Sequence, residues 1–226
     1  ADTGHINCHE AASIENTGHK ILALPNTDGK ITAGQIAACA AAYYDGGAPE
    51  YLTEPKLVYL SFPTEKGTLY SKQELQSIRE VCRKYGMYLF VDGARMGYGL
   101  GAEDNDLTLK DFAELTDVFY IGGTKCGALF GEALIITEPR LQYRFKAYMK
   151  QHGAVYFGAI GGCGALLSKC IKKAEVIAYE DLGAEALRRL EVEDFPVTVI
   201  IDALGNDLYE TGRRAYLEQC NGKQPH

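Results

Sequence analysis

The 226-residue chain is 46% hydrophobic and 23% charged, a composition that supplies a folding core and excludes disorder as the default. Its net charge of -7 leaves no basic excess to neutralise phosphate backbones or anionic lipid, so neither nucleic acid nor a membrane is expected as a partner. The seven cysteines (Cys8, Cys39, Cys82, Cys126, Cys163, Cys170, Cys220) are odd in number and scattered without a CxxC, which indicates neither a disulfide framework nor a zinc site. A reducing cytoplasm is the expected compartment.

No apolar run reaches the roughly 20 residues that span a bilayer, and ADTGHINCHE lacks the basic and apolar regions of a signal peptide. The chain opens without Met and reads as if it begins inside a domain, so an upstream segment is expected.

In chain order, GHINCHE (4–10) reads as a short strand running into a polar segment, and KILALP (20–25) as a buried strand. Asn26-Thr27-Asp28-Gly29 is turn chemistry, and Thr32 caps a helix with Ile36, Ala37, Ala40 and Ala41 at helical spacing. KLVYLSF (56–62) is a strand. Ser71 opens a helix running to Tyr85, with Glu74 as its capping-box partner, Leu75, Ile78, Val81 and Cys82 on one face, and Gly86 at its end. Strand, helix, strand at this spacing predicts a βαβ crossover and a parallel sheet.

YLFVDGAR (88–95) then delivers Asp92 and Arg95 at a strand end. After a short helix over LTLKDFAEL (107–115), VFYIGGTKCG (118–127) delivers Thr124 and Lys125 in the same way. GEALIIT (131–137) is expected to hairpin back from that strand. Beyond Pro139 the pattern turns helical through LQYRFKAYMKQHG and the small-residue run FGAIGGCGALLSKCIKK, whose glycines are dense enough for close packing against another helix or subunit. Residues 174–190 read as a charged helix, FPVTVIID (195–202) as a strand, and the rest as one more helix and a polar tail. No repeat is present.

Functional groups in open α/β sheets collect at the carboxyl ends of strands. A carboxylate and an amine presented there suit a pyridine cofactor, the first keeping a ring nitrogen protonated and the second condensing with an aldehyde. Taken singly, each has a plainer reading: Lys125 as a solvated strand end, Asp92 as a turn or helix cap paired with Arg95 at the ~0–1 kcal/mol of exposed pairs. Their joint occurrence is more specific.

GHINCHE, ENTGHKILALPNTDGKIT, PTEKGTLYS, FVDGARMGYGL and YIGGTKCGALFGEALI, in this order over about residues 4–165, resemble the threonine aldolase and β-eliminating lyase family of fold-type I pyridoxal-phosphate enzymes. The resemblance implies an α/β fold with a mostly parallel sheet flanked by helices, an incomplete large cofactor-binding domain over 1–172, and a poorly matched α/β appendage over 173–226. It implies pyridoxal 5'-phosphate as cofactor, with Lys125 as the Schiff-base lysine and Asp92 on the pyridine nitrogen. Arg95 would lie near the phenolic oxygen or the substrate carboxylate, Ala94 beneath the ring, Thr124 beside Lys125, and His5 stacked on the ring's opposite face near the substrate hydroxyl.

The implied substrate is a β-hydroxy amino acid, threonine or allo-threonine, cleaved to glycine and acetaldehyde with His5 handling the hydroxyl proton. A β-eliminating lyase, or a truncated non-catalytic paralogue that keeps the fold, is the alternative. Some family members place a histidine in the loop occupied here by Thr64 and Glu65. His9, Glu10 and His19 are given no chemistry, and neither Arg213 nor Arg214 can be assigned the further substrate-binding arginine. A homodimer or homotetramer is expected.

Overall fold

The computed structural model describes residues 1–127, 132–159, 164–178, 180–181 and 186–221. It divides into two compact units, Ala1–Glu138 and Pro139–His226.

In the first unit the elements are α1 (His5–Cys8), α2 (Ala33–Tyr44), β1 (Leu57–Ser61), α3 (Lys72–Tyr85), β2 (Tyr88–Asp92), α4 (Met96–Leu100), α5 (Leu109–Leu115), β3 (Val118–Gly122) and β4 (Glu132–Ile136). Three of its helices start in the same way. Thr32 with Gln35, Ser71 with Glu74 and Thr108 with Asp111 each form a reciprocal capping box, so the first amide donors of α2, α3 and α5 are satisfied locally. Gly86 ends α3 in the left-handed conformation (φ 66°), a position that favours glycine over any residue with a Cβ.

The sheet order is β1-β2-β3-β4, with β1, β2 and β3 parallel and β4 antiparallel. The predicted βαβ crossover is therefore present, and so is the hairpin return, although Gly131 lies outside the described residues. Leu75, Ile78 and Cys82 of α3 pack into a core with Val58, Leu60, Leu89, Val91, Phe112 and Phe119. Each large side chain buried there contributes about 1.5–3 kcal/mol.

Two expectations for this unit fail. Residues 4–10 form the helical turn α1 rather than a strand, because the chain closes on itself through the Cys8 and His9 amides, which donate to the Gly4 and His5 carbonyls. Residues 20–25 join no ladder among the described residues, so the described sheet ends at β1.

The second unit contains α6 (Pro139–Gln151), β5 (Tyr156–Gly158), α7 (Gly164–Leu167), β6 (Ile171–Ala178), β7 (Leu187–Val192), β8 (Thr198–Ile201) and α8 (Leu208–Asn221). The helix after Pro139, the 195–202 strand and the last helix match expectation. The run 157–173 does not form one helix: it holds β5, α7 and the start of β6, with 160–163 outside the described residues. Nor is 174–190 helical, since β6 and β7 pair as an antiparallel ladder.

The expected domain boundary at 172/173 differs from the observed division after Glu138. The physical reason is that β5 pairs with β8, and Met149 of α6 packs on Ile200 and Ile201, so elements before 172 are bound to elements after it.

Candidate active site

β2 ends at Asp92, which is only 8% exposed. Its carboxylate accepts a 2.5 Å hydrogen bond from the Tyr59 hydroxyl of β1 and a 2.9 Å bond from the Ala94 amide, and the Tyr120 phenol of β3 lies in the same neighbourhood. Burial, and then the nearby Asp92 carboxylate, push both phenols well above the usual tyrosine range, so both remain protonated donors.

The turn after Asp92 is pressed against the end of β3. The Gly122 amide donates to the Gly93 carbonyl at 2.8 Å, and a Cβ on Gly122 would fall 2.4 Å from the Ala94 carbonyl oxygen. A Cβ on Gly93 would fall 2.0 Å from the Tyr120 carbonyl oxygen. The DGAR and GGTK turns thus abut through backbone, and glycine on both sides permits it. Lys125 and Thr124, both half-buried, sit in the 3-10 turn Thr124–Cys126 that follows β3. Arg95 is exposed at the start of α4 and Ala94 is half-buried.

His5 comes to the same end of the sheet by a separate route. Its backbone amide donates to Glu65 Oε1 at 2.9 Å, and the same oxygen accepts the Ser61 hydroxyl at 2.7 Å. Ser61 is the register partner of Asp92. The imidazole Nδ1 lies 2.9 Å from Glu10 Oε1, which makes Nδ1 the protonated nitrogen and leaves the Nε2 lone pair available. Through Glu65 and Ser61, His5 is tied to the strand end that carries Asp92.

Sequence reasoning missed Glu10, Glu65, Tyr59 and Tyr120. Glu65 stands in the loop where the sequence departs from its resemblance. The tyrosines carry only a period-2 signal, each being placed on the Asp92 face of a neighbouring strand.

A cleft of about 740 Å³ opens beside β1, lined by residues 18–24 and 57–61 among others. It shares Tyr59, Ser61 and Glu65 with this cluster, and neither Asp92 nor Lys125 lines it.

A buried carboxylate held by the Tyr59 hydroxyl and the Ala94 amide is an acceptor for a cationic ring N–H, and a lysine on the adjoining turn offers a primary amine to an aldehyde. These residues fit the pyridine cofactor expected from the sequence.

The chain is 32% identical over 158 residues to the low specificity L-threonine aldolase of Pseudomonas sp. (strain NCIMB 10558), an alignment covering 68% of this chain and 44% of that protein. It is 47% identical to a solved Leishmania major threonine aldolase, with a TM-score of 0.61 over 68% of this chain and 44% of that one. The α/β architecture expected from the sequence is therefore that of the fold-type I enzymes. The chain spans less than half the length of the threonine aldolases it matches.

A second likeness was not foreseen. A family model described as the fumarase C-terminus matches residues 130–212, and the aerobic class I fumarate hydratase of Escherichia coli (strain K12) is 43% identical over 91 residues, 40% of this chain and 16% of that protein. The match begins inside the 4–165 stretch that carries the first resemblance. Over the 68% of its length that the aldolase alignments cover, the chain is a homologue of the threonine aldolases.

Proposed function

We propose that this protein is a pyridoxal-phosphate-dependent lyase that cleaves a β-hydroxy amino acid, threonine or allo-threonine, to glycine and acetaldehyde. The observation that carries the reading is the buried Asp92 carboxylate meeting the Lys125 turn at adjoining strand ends, with His5 tied to the same sheet end.

The cofactor, when bound, supplies an electron sink for the pair released at the amino-acid α-carbon. Asp92 holds a proton at the pyridine nitrogen. Lys125 would hold the cofactor through its aldehyde, its amine being the group on the adjoining turn suited to that. His5 takes the substrate hydroxyl proton at Nε2, because Nδ1 is committed to Glu10, and the resulting imidazolium is stabilised by that carboxylate. Ala94 and Thr124 would line the cofactor's site beside Asp92 and Lys125, and Arg95 would offer its charge to an anionic oxygen of the cofactor or the substrate carboxylate.

The test is chemical. Purified protein is mixed with pyridoxal phosphate, reduced with borohydride, and its peptides are mapped by mass spectrometry. The expected label is on Lys125 and is lost in Lys125→Ala; equal labelling of both proteins overturns the reading. Acetaldehyde release from threonine, set against pyruvate or oxobutyrate release from other amino acids, separates aldol cleavage from β-elimination.

We further propose a homodimer or homotetramer in the cytoplasm; a monomer by light scattering counts against the assembly. The 130–212 match favours a second reading for Pro139–His226: a module of the fumarase C-terminal kind that takes no part in aldol cleavage. On that reading alanine at both Arg213 and Arg214 leaves acetaldehyde release unchanged, and a tenfold loss refutes it.

A further inference from the structure

The cleft beside β1 is lined by two runs of main chain that lack partners. Along β1 the Lys56 carbonyl accepts the Tyr88 amide at 2.8 Å and the Phe62 amide donates to the Asp92 carbonyl at 2.7 Å, so residues 56, 58, 60 and 62 turn their main-chain groups toward β2. Leu57, Tyr59 and Ser61 turn theirs the other way, and all three line the cleft. Among the described residues their amides and carbonyls meet no hydrogen-bond partner, and neither does the main chain of residues 20–23 in the other lining run. The space is otherwise apolar, with Leu24, Ile31, Val58 and Leu60 joining it to the core. Exposed edges are ordinarily blunted by proline, lysine or a bulge, and β1, Leu-Val-Tyr-Leu-Ser in regular register, carries none of these.

One rung is already made. The Asp2 amide donates to the Leu24 carbonyl at 2.8 Å, Ala1 lines the cleft, and the chain then runs to the carboxyl end of β1, where the His5 amide meets Glu65. A segment joined to Ala1 and lying in the cleft would run parallel to β1. We propose that the cleft is a strand acceptor, which takes one extended apolar peptide segment, about five residues long to match Leu57–Ser61, as an added parallel strand between β1 and residues 20–24. The complementarity is one of charge: N–H and C=O dipoles alternate along Leu57, Tyr59 and Ser61, and another main chain presents the opposite alternation at the same repeat. A small apolar molecule would leave those groups unpaired. Pairing of β1 with β1 of a second copy would run antiparallel about a two-fold axis and leave the cleft empty. Because Tyr59 bonds Asp92 and Ser61 bonds Glu65, the added strand also braces the edge that supports the candidate site.

The test follows amide hydrogen exchange at Leu57, Tyr59 and Ser61 by NMR in the full chain. The extension Val-Thr-Val-Ile-Val-Thr, joined ahead of Ala1, is expected to slow all three amides by about tenfold or more relative to the unextended chain. Val-Pro-Val-Pro-Val-Pro at the same place has the same reach but is barred from the interior of a sheet, and is expected to leave the amides fast. Equal rates in the two extended chains overturn the proposal. Protection in the unextended chain that is lost on dilution identifies a second copy on this edge and overturns it as well. Should the extended chain not fold, the free acetylated peptide Lys-Val-Thr-Val-Ile-Lys at millimolar concentration is expected to slow the same amides of the unextended chain, and no slowing refutes the acceptor. None of these readouts involves the cofactor, so the lyase reading and the strand acceptor can fail independently.

Discussion

Arg79 of α3 and Asp117, the residue preceding β3, form a bidentate ion pair, with Nη1 2.5 Å from Oδ2 and Nη2 2.8 Å from Oδ1. Their side chains are only 13% and 4% exposed. Asp117 Oδ2 also accepts the Leu89 amide of β2 at 2.7 Å, and the Asp117 carbonyl accepts the Thr137 and Glu138 amides. One residue thus ties α3, β2 and the segment after β4 together. Asp117→Ala leaves a buried guanidinium and a strand amide unpaired, and is expected to cost about 3–5 kcal/mol, read as a lower urea midpoint.

Asp111 gives the fold an acid-sensitive contact. The Lys72 ammonium, 2.6 Å away, and the Thr108 hydroxyl and amide hold its carboxyl down at about 2, from a reference of 3.8. A folded-state value below the unfolded one means that the stabilisation is fully present above about pH 4 and is lost as pH falls through about 2. Asp111→Asn is expected to flatten this part of the stability curve while leaving the rest of its shape intact, as measured by urea unfolding at stepped pH.

The backbone contact between the two site turns predicts a steric asymmetry. Gly122→Ala places a methyl 2.4 Å from the Ala94 carbonyl oxygen, and Gly93→Ala places one 2.0 Å from that of Tyr120, so both force backbone apart at a cost on the order of 3 kcal/mol. Gly47→Ala meets nothing within 4 Å and is expected to leave the thermal midpoint within experimental scatter.

Thiol reactivity separates surface from core. Burial pushes the Cys82 thiol up to about 12, whereas Cys8 and Cys220 are exposed. Iodoacetamide at mildly alkaline pH is expected to label Cys8 and Cys220 and to spare Cys82 until urea is added. Labelling of native Cys82 at a comparable rate contradicts this packing of α3.

What the sequence made legible follows from how far each signal reaches. The starts of α2, α3 and α5 depend on side chains three residues from their partners, and β1-α3-β2 announces itself by apolar runs around an amphipathic helix. β6 and β7 escaped because nearly every residue in both is exposed on either face, so the alternation that marks a half-buried strand is missing. KILALP misled for the opposite reason: its apolar run is real, but it pairs with no strand among the described residues. At the site, Asp92 and Lys125 stand out because polar groups follow apolar strands. Tyr59 became meaningful only once the register set its hydroxyl against Asp92. Beyond the GEALI end of the Lys125 motif, residues 130–212 offered no short motif, and their likeness to the fumarase C-terminus emerged only from the family comparison.

The double attachment of His5 separates where the residue sits from what it can do. Its place is set by the main-chain amide on Glu65, and its proton by the side chain against Glu10. Replacing the imidazole therefore removes the proposed base without releasing the segment, whereas replacing Glu65 loosens the anchor and leaves that imidazole in place. Paired variants at positions 5 and 65 would thus distinguish the loss of a proton acceptor from the loss of its alignment.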